Sequence, residues 1–178
     1  MTTTIIVLMG VAGAGKTTVG QLLAADLGWA FLDADSLHPM ANIEKMTRGI
    51  PLTDADREPW LAAVHARIVE SFQKHQDLVV ACSALKQRYR ETLARGVDAI
   101  WVYLKGSEEM IRARLQGRQH HFMKAKMLAS QFADLEEPSD AIVVDIAITP
   151  SAAVQKISNA LTSSPAHAKG ITPMGRLA

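Results

Sequence analysis

With Cys82 its only cysteine, the chain has no partner for an internal disulfide and no second thiolate for a cysteine-based zinc site. That usage fits a cytoplasmic location. Aromatic residues are also scarce, nine in all, too few for the stacking platforms that hold single-stranded nucleic acid. Neither sign of charge dominates: 19 Lys and Arg against 18 Asp and Glu leave a net +1, so no whole-molecule field draws the chain to nucleic acid or to a membrane. Long apolar runs are missing as well. The run at residues 5–9 is short and has no basic leader, which argues against a signal peptide and against a membrane span. No internal repeat is visible.

What remains is a chain of 178 residues, 48% hydrophobic, enough for one α/β domain with a real core. That domain is expected over residues 1–162, followed by a disordered tail at 163–178 rich in Ser, Pro, Ala and Gly.

The stretch around which the chain is organised is Gly10-Val11-Ala12-Gly13-Ala14-Gly15-Lys16-Thr17, followed by Thr18. It matches the pattern G-x-x-x-x-G-K-S/T and lies between a short apolar run and an amphipathic segment, the strand-loop-helix context that the motif requires. The glycines let consecutive backbone N–H groups turn inward around phosphate, and the following helix adds its positive dipole end. Lys16 supplies a mobile charge for the β- and γ-phosphates, and the Thr17 hydroxyl is placed to ligate Mg²⁺.

Helical spacing of Val19, Leu22, Leu23 and Leu27 follows, with Gly28 as a stop. Residues 29–32, 78–82, 99–104 and 141–146 read as further strands. Thr53 and Asp56 have capping-box spacing, while Pro59 would be costly within a helix started at Thr53. A short turn and a new helix near Pro59 are therefore expected, with Trp60, Leu61, Val64, Ile68 and Phe72 facing the core. Ser107 is expected to cap a helix, and Thr149-Pro150 to start the last one. Between residues 86 and 126 ten Lys or Arg stand against four Asp or Glu, as a solvated face or as anion-handling groups.

Five strands alternating with helices predict a five-stranded parallel sheet covered on both faces, a P-loop NTPase fold. Ligands in such folds collect at the carboxyl ends of the strands. Asp33, Asp35, Ser83 and Lys86 follow strand ends and should converge on the phosphate loop. Asp35 is the candidate base or hydroxyl-positioning residue, and Asp33 the candidate partner for Mg²⁺, because the third strand ends in Cys82 and Ser83 without a carboxylate.

Residues 31–39, continuing through Asn42-Ile43-Glu44-Lys45-Met46 and the run from Gly49-Ile50-Pro51 to Pro59-Trp60-Leu61, resemble the gluconate kinases (gluconokinases). So do Cys82-Ser83-Ala84-Leu85-Lys86 with Tyr89-Arg90, Tyr103-Leu104-Lys105-Gly106, Ser130-Gln131-Phe132 and Leu135-Glu136-Glu137-Pro138. The resemblance covers about residues 5–160. It implies ATP-dependent phosphorylation of D-gluconate to 6-phospho-D-gluconate, which feeds the pentose phosphate and Entner-Doudoroff routes. It also implies a nucleoside-monophosphate-kinase-like fold that is often dimeric. On matching positions, residues 10–18 would hold ATP and Mg²⁺, and Asp35 would orient or deprotonate the acceptor hydroxyl. His38, Lys45, Arg57, Ser83, Lys86 and Arg90 would line the sugar-acid site. Arg57 and Arg90 are the cations best suited to a carboxylate, since a guanidinium fork binds it bidentately. Arg114 and Arg118 resemble the arginines of a mobile lid, here residues 114–128, and His120 stands where these kinases commonly have glycine.

The alternatives are a kinase for another hydroxy acid, of shikimate or idonate type, and a nucleotide-dependent switch. The first is disfavoured by the segment 38–60. The second predicts an Asn-Lys-x-Asp guanine-reading motif, and the chain has none.

Overall fold

A computed structural model describes residues 3–116 and 121–163, the side chains of 121–126 excepted. Arg118 and His120, part of the expected lid and the tail from residue 164 lie outside the described residues.

Strands β1 (Ile5–Met9), β2 (Ala30–Asp33), β3 (Leu78–Ala81), β4 (Ala99–Lys105) and β5 (Ile142–Asp145) form one sheet in the order β2-β3-β1-β4-β5, every pairing parallel. The middle strand, β1, is apolar throughout because both of its faces are covered: its five residues are all fully buried. Its side chains alternate between two cores. Ile6 and Leu8 join Val19, Leu23, Leu27, Val154, Ile157 and Leu161 on one face, contributed by helices α1 (Lys16–Leu27) and α7 (Pro150–Ser163). Ile5, Val7 and Met9 join Trp60, Leu61, Val64, Ile68, Tyr89 and Leu93 on the other, contributed by α3 (Asp54–Gln73) and α4 (Gln87–Leu93). Each large aliphatic side chain buried this way contributes about 1.5–3 kcal/mol, so the two cores fix the sheet and with it the positions of the strand ends. Three further helices, α2 (Met40–Thr47), α5 (Glu108–Gln116) and α6 (His121–Asp134), surround those ends.

Ser107 and Thr149 cap as expected, their hydroxyls accepting from Met110 N and Ala152 N at 3.2 Å each. Two expectations are corrected. Phe72, expected in the core-facing stripe, is exposed in the last turn of α3, past the buried Trp60, Leu61, Val64 and Ile68; in α1 the buried stripe is Val19, Gly20, Leu23, Ala24 and Leu27, with Leu22 exposed. Gly20 is needed there since a Cβ would lie 2.6 Å from the Phe31 ring, so small residues define a face that large residues alone misplace. The helix α3 starts at Asp54 and runs unbroken through Pro59. Losing one N–H and meeting the Ala55 carbonyl costs about 3 kcal/mol in a helix interior. The complete Thr53–Asp56 capping box returns about 1 kcal/mol, and burial of Trp60 and Leu61 immediately after the proline holds the helix in line.

Candidate active site

The phosphate loop leaves β1 at Gly10, whose φ of 146° and proximity to β4 exclude a side chain: a Cβ would lie 2.9 Å from the Leu104 carbonyl oxygen. Gly15, at φ 93°, turns the chain into α1. No side chain caps that helix, so its first amides face the loop without side-chain acceptors and suit an anion. Lys16 folds back and donates from Nζ to the Val11 carbonyl at 3.0 Å. As a residue Lys16 keeps some exposure, but its ammonium is desolvated in the loop, which lowers its pKa against the raising pull of Asp35. Thr18 is exposed on the first turn of α1.

Asp33, at the end of β2, ties this loop to the next element. Its Oδ2 accepts from Thr17 Oγ1 at 2.8 Å and its Oδ1 from Asp35 N at 3.1 Å. One carboxylate thus lies beside the expected metal ligand and also shapes the 3₁₀ turn that carries Asp35. A hydroxyl and a carboxylate together are hard oxygen donors, which fit Mg²⁺. Trp60 anchors the same turn, donating from Nε1 to the Ala34 carbonyl at 2.7 Å.

Beside the loop is a cleft of about 180 Å³ whose walls include Lys16, Asp35, His38, Arg57 and Ser83. These expected residues come from four separate parts of the chain, Asp35 and His38 sharing the 3₁₀ turn after β2. The His38 ring stacks on Trp60 with centroids 4.3 Å apart, and burial lowers its pKa, so it is neutral at pH 7. Asn42 Nδ2 approaches both His38 Nδ1 at 3.3 Å and the Asp56 carbonyl at 2.8 Å, an arrangement that assigns the histidine proton to Nε2. Arg57 meets Asp134 at 3.3 Å and donates to Tyr89 Oη at 3.3 Å.

Three expected substrate residues are not brought to the cleft wall. Lys45 is paired with Asp56 at 2.6 Å. Lys86 bridges Asp54 at 3.1 Å and Asp134 at 3.2 Å, in a network that Tyr89 and Arg88 join through Asp54. Arg90 is buried, and its Nη1 donates to the Ala84 and Leu85 carbonyls at 3.0 Å each. It therefore braces the turn that holds Ser83, where Ala84 has a φ of 43°. Arg114 reaches the Ile146 carbonyl beyond β5. The Cys82 thiol, behind the loop, is pushed up to about 12 by burial, which leaves it unreactive at neutral pH.

Sequence reasoning assigned no role to Ser130, Gln131 or Asp134. All three lie on α6; Ser130 and Gln131 line the cleft, and Gln131 Oε1 accepts from Ala12 N at 2.6 Å. The available signal was their position: polar residues within the amphipathic segment that contains the Ser130-Gln131-Phe132 run.

A phosphate loop at the end of the central strand, with a carboxylate and an arginine facing it across a cleft, defines a P-loop small-molecule kinase. A family model described as shikimate kinase matches residues 12–162. The chain is 51% identical over 137 residues to a gluconokinase of Gluconobacter oxydans, covering 76% of each chain. It is 46% identical over 147 residues to the thermoresistant gluconokinase of Escherichia coli, covering 80% of this chain and 84% of that one. A solved gluconokinase from Sinorhizobium meliloti superposes with a TM-score of 0.78 at 40% identity, over 87% of this chain and 89% of the other. The chain belongs to the gluconokinase family.

Proposed function

We propose that this protein transfers the γ-phosphoryl group of ATP to the 6-hydroxyl of D-gluconate, forming 6-phospho-D-gluconate and ADP. The observation that carries the reading is the location of Asp35 on the wall of one cleft with Lys16 and Arg57, in a chain 51% identical over 137 residues to a gluconokinase. The loop amides and Lys16 hold the triphosphate, with Arg114 and Arg118 completing the nucleotide side. Thr17 and Asp33 would hold Mg²⁺, which when bound neutralises charge on the β- and γ-phosphates. Arg57 retains guanidinium donors beyond those directed at Tyr89 and Asp134, and these meet the substrate carboxylate. His38 and Ser83 orient the hydroxyls, while Lys45, Lys86 and Arg90 act from behind, through the residues that they hold.

In the transfer, the 6-hydroxyl oxygen bonds to the γ-phosphorus. The bond from that phosphorus to the β–γ bridging oxygen breaks, its electron pair staying on ADP, and the hydroxyl proton passes to the Asp35 carboxylate. Most of the acceleration comes from positioning and charge stabilisation, because the transition state carries little covalent demand. Balanced net charge and one buried thiol suit a cytoplasmic enzyme without nucleic-acid or membrane partners, and the resemblance to kinases that are often dimeric supports a homodimer.

ADP release with ATP and Mg²⁺ across D-gluconate, idonate, shikimate and no acceptor tests the substrate. Turnover that depends on D-gluconate is expected. A rate with shikimate or idonate that exceeds the gluconate rate would move the assignment to that acid, and equal slow ATP loss in every arm would favour a switch.

A further inference from the structure

Gln131 makes a contact whose chemistry fixes the direction of its side chain. The Ala12 backbone N–H can only donate, so the atom facing it at 2.6 Å must be the acceptor Oε1. The other end of the planar amide, the Nε2–H₂ group with two donors, is thereby turned away from the Ala12 amide. Gln131 lines the cleft together with Ala12, Lys16 and Asp35, between the phosphate loop and the acceptor side. Its helix is pinned one turn further on, where Asp134 is gripped by Arg57 at 3.3 Å and by Lys86 at 3.2 Å, so the amide is carried on a fixed element.

We propose that Gln131 is a further catalytic residue, whose Nε2–H₂ donates to the oxygens of the γ-phosphoryl group during transfer while Oε1 keeps the Ala12 amide in place. The inference rests on the kinase reading above. Donors aimed at charge that spreads over a transferring phosphoryl group stabilise the transition state more than the bound nucleotide, so their loss falls on kcat.

Gln131→Glu separates this role from simple closure of the loop, because a carboxylate still accepts from Ala12 N but offers no donors. At pH 8 its kcat should fall about 100-fold, with KM for ATP and for gluconate within about threefold of wild type. The deficit should shrink as pH is lowered toward 5, where a protonated carboxyl beside phosphate regains a donor. Gln131→Met, neutral and of similar length, should also lose kcat, about tenfold or more, and its loss should not change with pH. A Glu variant as fast as wild type, or a loss confined to KM for ATP in either variant, overturns the proposal. Inactive wild type would overturn the kinase reading and this inference together, whereas an active wild type matched by Gln131→Glu overturns this inference alone.

Discussion

The two sides of the cleft are built by different means. The nucleotide side is made of backbone: three glycines of positive φ in six residues, uncapped helix amides and a lysine one position further on. The acceptor side is made of side chains drawn from α3, α4, α6 and their approaches, held by a network of Asp54, Arg57, Lys86, Tyr89 and Asp134. A backbone cradle tolerates few changes of residue type and reads as a contiguous motif. A side-chain network can exchange one ion pair for another, so it can admit a charged substrate by replacing an internal partner.

The comparison is tested most severely at its two central groups. Lys16→Ala should reduce kcat by about 1000-fold, since it removes the phosphate loop's own mobile cation. Asp35→Asn should cost about 100- to 1000-fold in kcat with little change in KM for ATP, the signature of lost proton acceptance rather than lost nucleotide binding. Steady-state kinetics on folded protein checks both, and a variant of either kind with near-wild-type kcat would break the assignment.

On the acceptor side, Arg57→Lys keeps the charge but not the fork. KM for gluconate should rise about tenfold while KM for ATP holds, because a point charge cannot serve Tyr89, Asp134 and a carboxylate at once. Equal rises in both KM values would mean that the two sides are not separable in this way.

The smallest effect concerns stability. The Lys45 ammonium, followed by the Thr53 cap, holds the Asp56 carboxyl down at about 2, against about 3.9 in an unfolded chain. Since the folded value is the lower one, this contribution is present above about pH 4 and is lost as pH falls toward 2. Melting temperature should therefore drop less steeply between pH 4 and pH 2 in Asp56→Asn than in wild type. Parallel curves would remove Asp56 from the account.

Legibility in the sequence follows the same division. The sheet and the phosphate loop could be read because each is local: β1 is an unbroken apolar run, and the glycines, Lys16 and Thr17 are neighbours. Asp33 and Asp35 were readable as strand-end residues. Lys45, Lys86 and Arg90 are cations whose partners lie 11, 48 and 6 or fewer residues away, at Asp56, Asp134 and the Ala84–Leu85 carbonyls. Charge alone does not say whether such a group faces a ligand or a neighbour. Gln131 was hidden for a related reason, since its partner is a backbone amide 119 residues earlier. Pro59 misled locally because the cap before it and the buried Trp60 after it outweigh its own preference.

The central claim is that both sides of the cleft act on one phosphoryl group, and phosphorus NMR of a reaction of wild-type protein with ATP, Mg²⁺ and D-gluconate tests it most directly. The account predicts that the γ-phosphate signal is replaced by that of a phosphate monoester coupled to the C6 methylene protons, in equal amount to the ADP formed. Inorganic phosphate as the product, or a monoester on a different carbon, would contradict it.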